Sequence, residues 1–226
     1  MLISPFLQSV NEAPDAACLY RLDGDTWTGF SRQAVLDAAL KLCGQWKNDG
    51  LNPGDRILLL MENRPEWAVT AIASGLYGLV LVPAYTTHRP HEIEYLLERS
   101  EASAVMTSDG ELFARIQTLS TIASLPLYCA SNDEPSLFGQ IVGGPFQPRS
   151  EDLFEHDRLY ALIATSGTNG LPKLVELTHQ NLMSNVTGIL TILRDAHIDQ
   201  PHRFLSFLPL AHAYEHMAGL YLPLHL

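Results

Sequence analysis

The stretch Ala164-Thr165-Ser166-Gly167-Thr168-Asn169-Gly170-Leu171-Pro172-Lys173 combines small hydroxyl residues, glycines and a terminal lysine directly after an apolar run. Glycine lets the backbone approach a ligand closely and adopt positive φ angles. Consecutive N–H groups in such a turn form a concave anion site, and lysine adds a positive point charge suited to phosphate. The stretch therefore predicts a loop that binds the phosphates of a nucleoside triphosphate. The alternative is a flexible loop without a ligand.

The loop is not a Walker A motif, because no Gly-Lys-Ser/Thr triplet closes it. Apolar runs and helical patterns alternate on both sides of it, which indicates βαβ units and a mostly parallel sheet. Ser31, Pro65, Pro90 and Thr178 are predicted to begin helices, and another helix is predicted near 112–119. Strands are predicted at 57–61, 79–82, 103–106, 127–129, 159–164, 174–178 and 204–208.

One segment is long enough to cross a membrane, because residues 67–87 contain no Asp, Glu, Lys or Arg. Gly78 divides this segment into a helical pattern and a β-like pattern. We therefore interpret it as a buried helix that leads into a buried strand. No transmembrane segment is predicted.

The length and composition suit a large α/β domain, with 226 residues of which 46% are hydrophobic. Residues 131–157 are rich in Pro, Gly, Asn and acidic residues, which is typical of a long connection. We predict a first α/β subdomain at 1–156. Residues 157–226 are predicted to carry the phosphate loop and the start of a second subdomain.

Charge and cysteine content exclude some classes of protein. The net charge is −11 and no basic run occurs, which argues against nucleic acid as a partner. The three cysteines, Cys18, Cys43 and Cys129, form no C-x-x-C pair. A disulfide framework is therefore not expected, and a cytoplasmic location fits this pattern.

Three blocks resemble the N-terminal part of the AMP-forming acyl-CoA synthetase and ligase family, the adenylate-forming enzymes. The first begins with Asn-Arg-Pro-Glu-Trp at 63–67 and continues to 97. The second runs from the phosphate loop to Asn181, and the third is Leu-Ser-Phe-Leu-Pro-Leu-Ala-His-Ala-Tyr-Glu-His at 205–216. The third block is most similar to the long-chain fatty acyl branch. The chain departs from the family at Asn169 and Leu174, where threonine and glycine are usual.

This resemblance implies the N-terminal part of the adenylate-forming enzyme fold, in an incomplete large domain. It implies that the enzyme uses ATP to activate a carboxylic acid to an acyl-adenylate, and that coenzyme A then converts the acyl-adenylate to a thioester. The implied acid is a long-chain fatty acid, as in the branch that the third block resembles. Lys173 and His212 are the implied catalytic residues: Lys173 faces the departing pyrophosphate, and His212 orients the carboxylate. The implied phosphate-binding residues are Thr165, Ser166, Gly167, Thr168, Asn169, Gly170 and Lys173.

ATP, Mg²⁺ and coenzyme A are the implied cofactors, and a fatty acid is the implied substrate. No metal-ligating protein residues are assigned by the resemblance. A carrier-protein thiol in place of coenzyme A, peripheral contact with a membrane, and self-association are left open. The length of the acyl chain is not specified by these residues.

The family's later motifs, a Tyr-Gly-x-Thr-Glu segment and a C-terminal lysine domain, do not occur in this sequence. We therefore expect a fragment of the enzyme that carries the phosphate loop, lacks the C-terminal domain and is inactive alone. A truncated, non-catalytic relative that binds a nucleotide or a protein is the main alternative. A remote one is a zinc hydrolase, since His212, Glu215 and His216 form an H-x-x-E-H pattern.

Overall fold

The computed structural model describes residues 2–130, 138, 141, 143–148, 157–165, 172–196 and 203–226. Its helices are α1 (Ser4–Glu12), α2 (Arg32–Asn48), α3 (Pro65–Tyr77), α4 (Pro90–Ser100), α5 (Gly110–Ile116), α6 (His179–Asp195), α7 (Ala213–Glu215) and α8 (Leu222–Leu224). A 3₁₀ turn spans Ser120–Ile122, and a π-helical stretch at His216–Tyr221 joins α7 to α8. The strands are β1 (Ala17–Asp23), β2 (Thr26–Ser31), β3 (Arg56–Leu60), β4 (Val80–Ala84), β5 (Ala102–Thr107), β6 (Leu127–Cys129), β7 (Leu159–Thr165) and β8 (Lys173–Thr178).

The main sheet has six strands in the order β6-β5-β3-β4-β7-β8. Strands β3 to β7 run parallel, and β8 pairs with β7 in the antiparallel direction. The predicted α/β class with a mostly parallel sheet is thereby confirmed. Strands β1 and β2 form a separate antiparallel hairpin. The predicted subdomain boundary near 156 falls outside the described residues and stays a prediction.

The two faces of the sheet bury two separate hydrophobic clusters, because successive side chains of a strand point to opposite faces. In β3, Ile57 and Leu59 pack with α1, α2, α3 and α6, whereas Leu58 and Leu60 pack with α4 and α5. Helices therefore cover both faces, as a parallel sheet requires. All four side chains are fully buried.

Capping residues explain where several helices begin and end. The hydroxyl of Ser31 accepts a hydrogen bond from the Ala34 N–H at 3.2 Å, so Ser31 caps α2 as predicted. Thr178 and Asn181 form a capping box at the start of α6. Helix α3 ends at Gly78, whose φ of 93° lies in the left-handed region that favours glycine.

The apolar segment at 67–87 is the buried α3 and β4, divided at Gly78, as predicted. Within the described part of the chain, no helix combines the length and apolar character that crossing a bilayer requires.

The predicted strand at 204–208 is wrong, because the structure assigns no strand to these residues. The side chains of Leu205 and Phe207 are 71% and 75% exposed. Backbone groups at the end of this segment bind side chains instead of a neighbouring strand. The Leu208 carbonyl and the Leu210 N–H both contact the amide of Asn63.

Candidate functional site

The carboxyl ends of β3, β4 and β7 lie at one edge of the sheet, because these strands are parallel neighbours. In open α/β sheets, ligands bind in the crevice outside the carboxyl ends of the strands. Asn63 follows β3 at this edge, and Thr165 is the last residue of β7. The sheet thus brings the first and second sequence blocks to the same edge.

The predicted phosphate loop lies between β7 and β8 in the sequence, and these two strands form a hairpin. Thr165 lies opposite Lys173 in the register, and its hydroxyl donates to the Lys173 carbonyl at 3.3 Å. Tyr95 on α4 donates its hydroxyl to the Pro172 carbonyl at 3.1 Å. Both side chains at the hairpin end, Thr165 and Lys173, are exposed. The predicted site residues Ser166, Gly167, Thr168, Asn169 and Gly170 lie outside the described residues.

Leu174, where the family usually has glycine, has a defined place in the sheet. It pairs with Ala164 of β7, and both side chains pack against the cluster that α4 and α5 cover. The apolar side chain is therefore accommodated by the hydrophobic core next to the loop. The exposed ammonium group of Lys173 and the hydroxyl of Thr165 lie at the loop end of the β7–β8 hairpin. Such groups suit a phosphate ligand.

His212 is the exposed N-cap residue of α7. Its Nδ1 accepts a hydrogen bond from the Tyr214 backbone N–H at 3.2 Å. In a neutral imidazole one nitrogen accepts and the other donates, so this contact places the proton on Nε2. His212 thus offers an exposed N–H donor of the kind that binds a carboxylate oxygen.

Asn63 ties the third sequence block to the end of β3, which the sequence did not predict. Its Nδ2 donates to the Ser206 hydroxyl at 2.8 Å and to the Leu208 carbonyl at 2.6 Å. Its Oδ1 accepts the Leu210 N–H at 2.9 Å. Because His212 follows Leu210 by two residues, this contact brings His212 to the same sheet edge as the phosphate loop. No local pattern marked this contact, although Asn63 is the first residue of the first sequence block.

The zinc site of the H-x-x-E-H alternative is not supported. His212 is exposed, whereas His216 is fully buried and its Nδ1 contacts the Leu210 carbonyl at 3.3 Å. The buried Glu215 accepts a hydrogen bond from the Ser206 hydroxyl at 2.8 Å. Across the described ranges, no three His, Cys, Asp or Glu side chains gather as a metal site.

His216 packs in a buried cluster of aromatic side chains beneath the segment that carries His212. The His216 ring lies edge-on to Trp67 and to Tyr221, each with ring centroids 5.2 Å apart. Tyr221 donates its hydroxyl to that of Tyr160, which in turn donates to the Ala71 carbonyl at 2.8 Å. Burial lowers the pKa of His216 to about 4, so the ring is neutral near pH 7.

This low pKa predicts that the protein loses stability in mild acid. In the unfolded chain, His216 has a pKa of 6.5 and gains a proton below that pH. In the folded protein, its pKa is about 4, so it gains the proton only near pH 4. Stability therefore falls as the pH drops through this window, by about 2 kcal/mol between pH 7 and pH 5. The neighbouring Tyr160 and Tyr221 stay neutral there, because burial raises the pKa of both.

Urea unfolding at both pH values checks this expectation. The His216→Leu variant should lose about 2 kcal/mol less than the unsubstituted chain between pH 7 and pH 5. Leucine in place of the exposed His91 is the matched control and should keep the original pH dependence. Parallel losses in the His216 variant and the unsubstituted chain would contradict the assignment.

Comparison with known proteins identifies the family of this chain. The sequence model of the AMP-binding enzyme family matches residues 6–226. Fatty acyl-CoA synthetase A of Dictyostelium discoideum is 35% identical over 188 residues, which cover 74% of this chain and 27% of that protein. Long-chain-fatty-acid–CoA ligase 5 of Rattus norvegicus is 28% identical over 249 residues, which cover 96% of this chain and 35% of that protein.

Solved structures share the fold. O-succinylbenzoate coenzyme A synthetase from Bacillus subtilis, in complex with ATP and a magnesium ion, superposes with a TM-score of 0.77 at 19% identity. The match covers 98% of this chain and 54% of that one. The chain spans about a third of the length of the curated relatives that it matches.

Proposed function

The chain belongs to the AMP-binding enzyme family, and we propose that it supplies the ATP site of an acid-activating enzyme. The substrate is a carboxylic acid, and a long-chain fatty acid fits best. The fatty acyl specificity is proposed by analogy with the names of the two curated relatives. The activity is proposed for the protein to which this chain contributes the phosphate loop and His212.

The reaction has two steps. A carboxylate oxygen forms a bond to the α-phosphorus of ATP, the bond from that phosphorus to the bridging oxygen breaks, and pyrophosphate leaves. The sulfur of coenzyme A then bonds to the acyl carbon while the thiol proton is released, and AMP departs. Because this is phosphoryl transfer, the protein acts mainly by positioning the reactants and neutralising charge.

Lys173 binds the phosphates that become pyrophosphate. It lies at the start of β8, directly after the loop, with an exposed side chain. A lysine ammonium is a compact charge that suits polyphosphate. We propose that Thr165, Ser166, Gly167, Thr168, Asn169 and Gly170 hold the same phosphates, and that Mg²⁺ enters with ATP.

The observation that carries the acid site is the placement of His212. Its Nδ1 is occupied by the Tyr214 N–H, which leaves an Nε2–H donor that is exposed. The Asn63 contact to Leu210 brings this donor to the edge where the phosphate loop emerges. We propose that a carboxylate bound to Nε2 lies beside the nucleotide, as in-line attack on the α-phosphate requires.

Coenzyme A is the proposed acyl acceptor, and the cytoplasm is the proposed location. The described cysteines, Cys18, Cys43 and Cys129, form no disulfide, which supports a reducing compartment. Burial raises the pKa of Cys18 to about 11 and that of Cys43 further, so both thiols stay protonated and unreactive.

Isotope exchange between pyrophosphate and ATP tests the first step. The full-length protein is assayed with MgATP and labelled pyrophosphate, with straight-chain acids from acetate to hexadecanoate added one at a time. We expect exchange that depends on the acid and is strongest with the long chains, because the adenylation step is reversible.

Each result decides between specific alternatives. Exchange without any acid, or exchange of phosphate in place of pyrophosphate, would contradict acid adenylation. Absence of exchange with every acid, combined with tight MgATP binding, would favour a non-catalytic nucleotide-binding protein.

A further inference from the structure

Asn63 connects two parts of the chain that are far apart in sequence. It lies between β3 and α3, and its amide makes three hydrogen bonds to residues 206–210. The amide group donates through Nδ2 and accepts through Oδ1, so both of its polar atoms are used. Asparagine is suited to this place, because aspartate of the same shape would offer only acceptors when ionised.

The same segment is held from its other side by the helical stretch that begins at α7. The Leu210 carbonyl contacts Nδ1 of His216, while the Leu210 N–H binds Asn63. Ser206 accepts from Asn63 and donates to the buried carboxylate of Glu215. Both backbone polar groups of Leu210 and the hydroxyl of Ser206 are therefore fixed by side chains.

Hydrogen bonds hold the exposed part of this segment, whereas Leu210 at its end is also buried in the hydrophobic core. Leu205 and Phe207 are 71% and 75% exposed, so they contribute little buried area. By contrast, Asn63 contacts Ser206, Leu208 and Leu210 at distances of 2.6–2.9 Å. Loss of the Asn63 amide would thus remove three hydrogen bonds that position residues 206–210, while the buried sheet and α3 keep their packing.

We propose that Asn63 is a positioning residue for the acid half of the site, acting through residues 206–210 on His212. This inference rests on the proposed function, because the role of His212 in holding the carboxylate defines that half. The Asn63 amide bonds to residues 206–210 and forms no hydrogen bond to Thr165, Pro172 or Lys173, the described residues at the two ends of the loop. Its effect should therefore separate acid binding from ATP binding, which a general loss of stability would not do.

The test compares two ligands on one variant. Asn63→Leu keeps the approximate volume of the side chain and removes the amide. The ligands are MgATP and an unreactive hexadecanoyl sulfamoyl adenosine, which places an acyl group where the acyl-adenylate forms. We expect about tenfold weaker binding of the analogue, and MgATP affinity within about twofold of that of the unsubstituted chain.

Two further variants sharpen the result. Asn63→Asp keeps an acceptor for the Leu210 N–H and loses the amide donors. Its affinity for the analogue should therefore lie between that of the unsubstituted chain and that of Asn63→Leu. Asn52→Leu is the matched control, because Asn52 is exposed in the turn before β3 and its side chain contacts only the Gly50 carbonyl. It should bind both ligands as the unsubstituted chain does.

Hydrogen exchange at the Leu210 amide reports on the contact itself. In Asn63→Leu this amide should exchange faster, while the amides of β3 and α3 keep their protection. Unchanged affinity for the analogue, or an equal loss for both ligands with a lower melting temperature, would overturn the positioning role. All of these measurements use the full-length protein; if its unsubstituted form binds neither ligand, the proposed function is contradicted, and the role of Asn63 with it.

Discussion

Replacing Lys173 by alanine is expected to weaken MgATP binding by about 10- to 100-fold. The ammonium group is exposed at the mouth of the β7–β8 hairpin, one residue after Pro172. A hydrogen bond to a charged group contributes about 1.5–3 kcal/mol, which corresponds to this range of affinity. Titration calorimetry with MgATP measures the effect directly on this chain.

A change of fold would not explain that loss. The Lys173 backbone carbonyl, which accepts from the Thr165 hydroxyl, is retained in the alanine variant. Lys173→Arg keeps the positive charge and should recover part of the affinity, although the guanidinium presents a different geometry. Lys47→Ala, at the exposed end of α2, is the matched control and should bind MgATP normally. Equal affinity of the Lys173→Ala variant and the unsubstituted chain would refute the assigned role.

Replacing Trp67 by alanine is expected to lower the free energy of unfolding by about 4 kcal/mol. Trp67 on α3 is fully buried, and its ring packs edge-on against His216. Its Nε1 has no hydrogen-bond partner among the described residues, so the loss comes from packing and from the cavity left behind. Urea unfolding followed by circular dichroism measures the difference.

Trp27 provides the matched control for this large side chain. It is 57% exposed on the β1–β2 hairpin, where it lies opposite Leu22. Trp27→Ala should therefore cost no more than about 1 kcal/mol, which is the scale of a cross-strand pair. A loss in Trp67→Ala as small as that in Trp27→Ala would show that the cluster around His216 does not stabilise the fold.

The centre of the main sheet could be predicted because strands β3 and β4 are buried on both faces. Residues 57–61 form an unbroken apolar run, and the structure places β3 at Arg56–Leu60. Gly78 correctly marked the end of α3. The β1–β2 hairpin was not predicted, because no buried apolar run marks it: Phe30 is the one buried residue of its two strands. Helix α1 was also not assigned.

The site was only partly accessible from the sequence. The loop pattern predicted a role for Lys173, and the family resemblance predicted one for His212. It did not identify Asn63, because three hydrogen bonds to residues more than 140 positions away leave no local pattern. The apolar pattern at 204–208 was misleading, because Leu205 and Phe207 are exposed and the Leu208 carbonyl accepts from the Asn63 side chain.

Transfer of oxygen from the acid to AMP is the measurement that tests the central claim most directly. The full-length protein is given MgATP, coenzyme A and hexadecanoate labelled with ¹⁸O in its carboxylate, and the products are analysed by mass spectrometry. If the carboxylate attacks the α-phosphate, the oxygen that joins acid and phosphate stays with AMP when the thiol displaces it. We predict one ¹⁸O atom in each AMP formed. Label in inorganic phosphate, or AMP formed without label, would contradict the account.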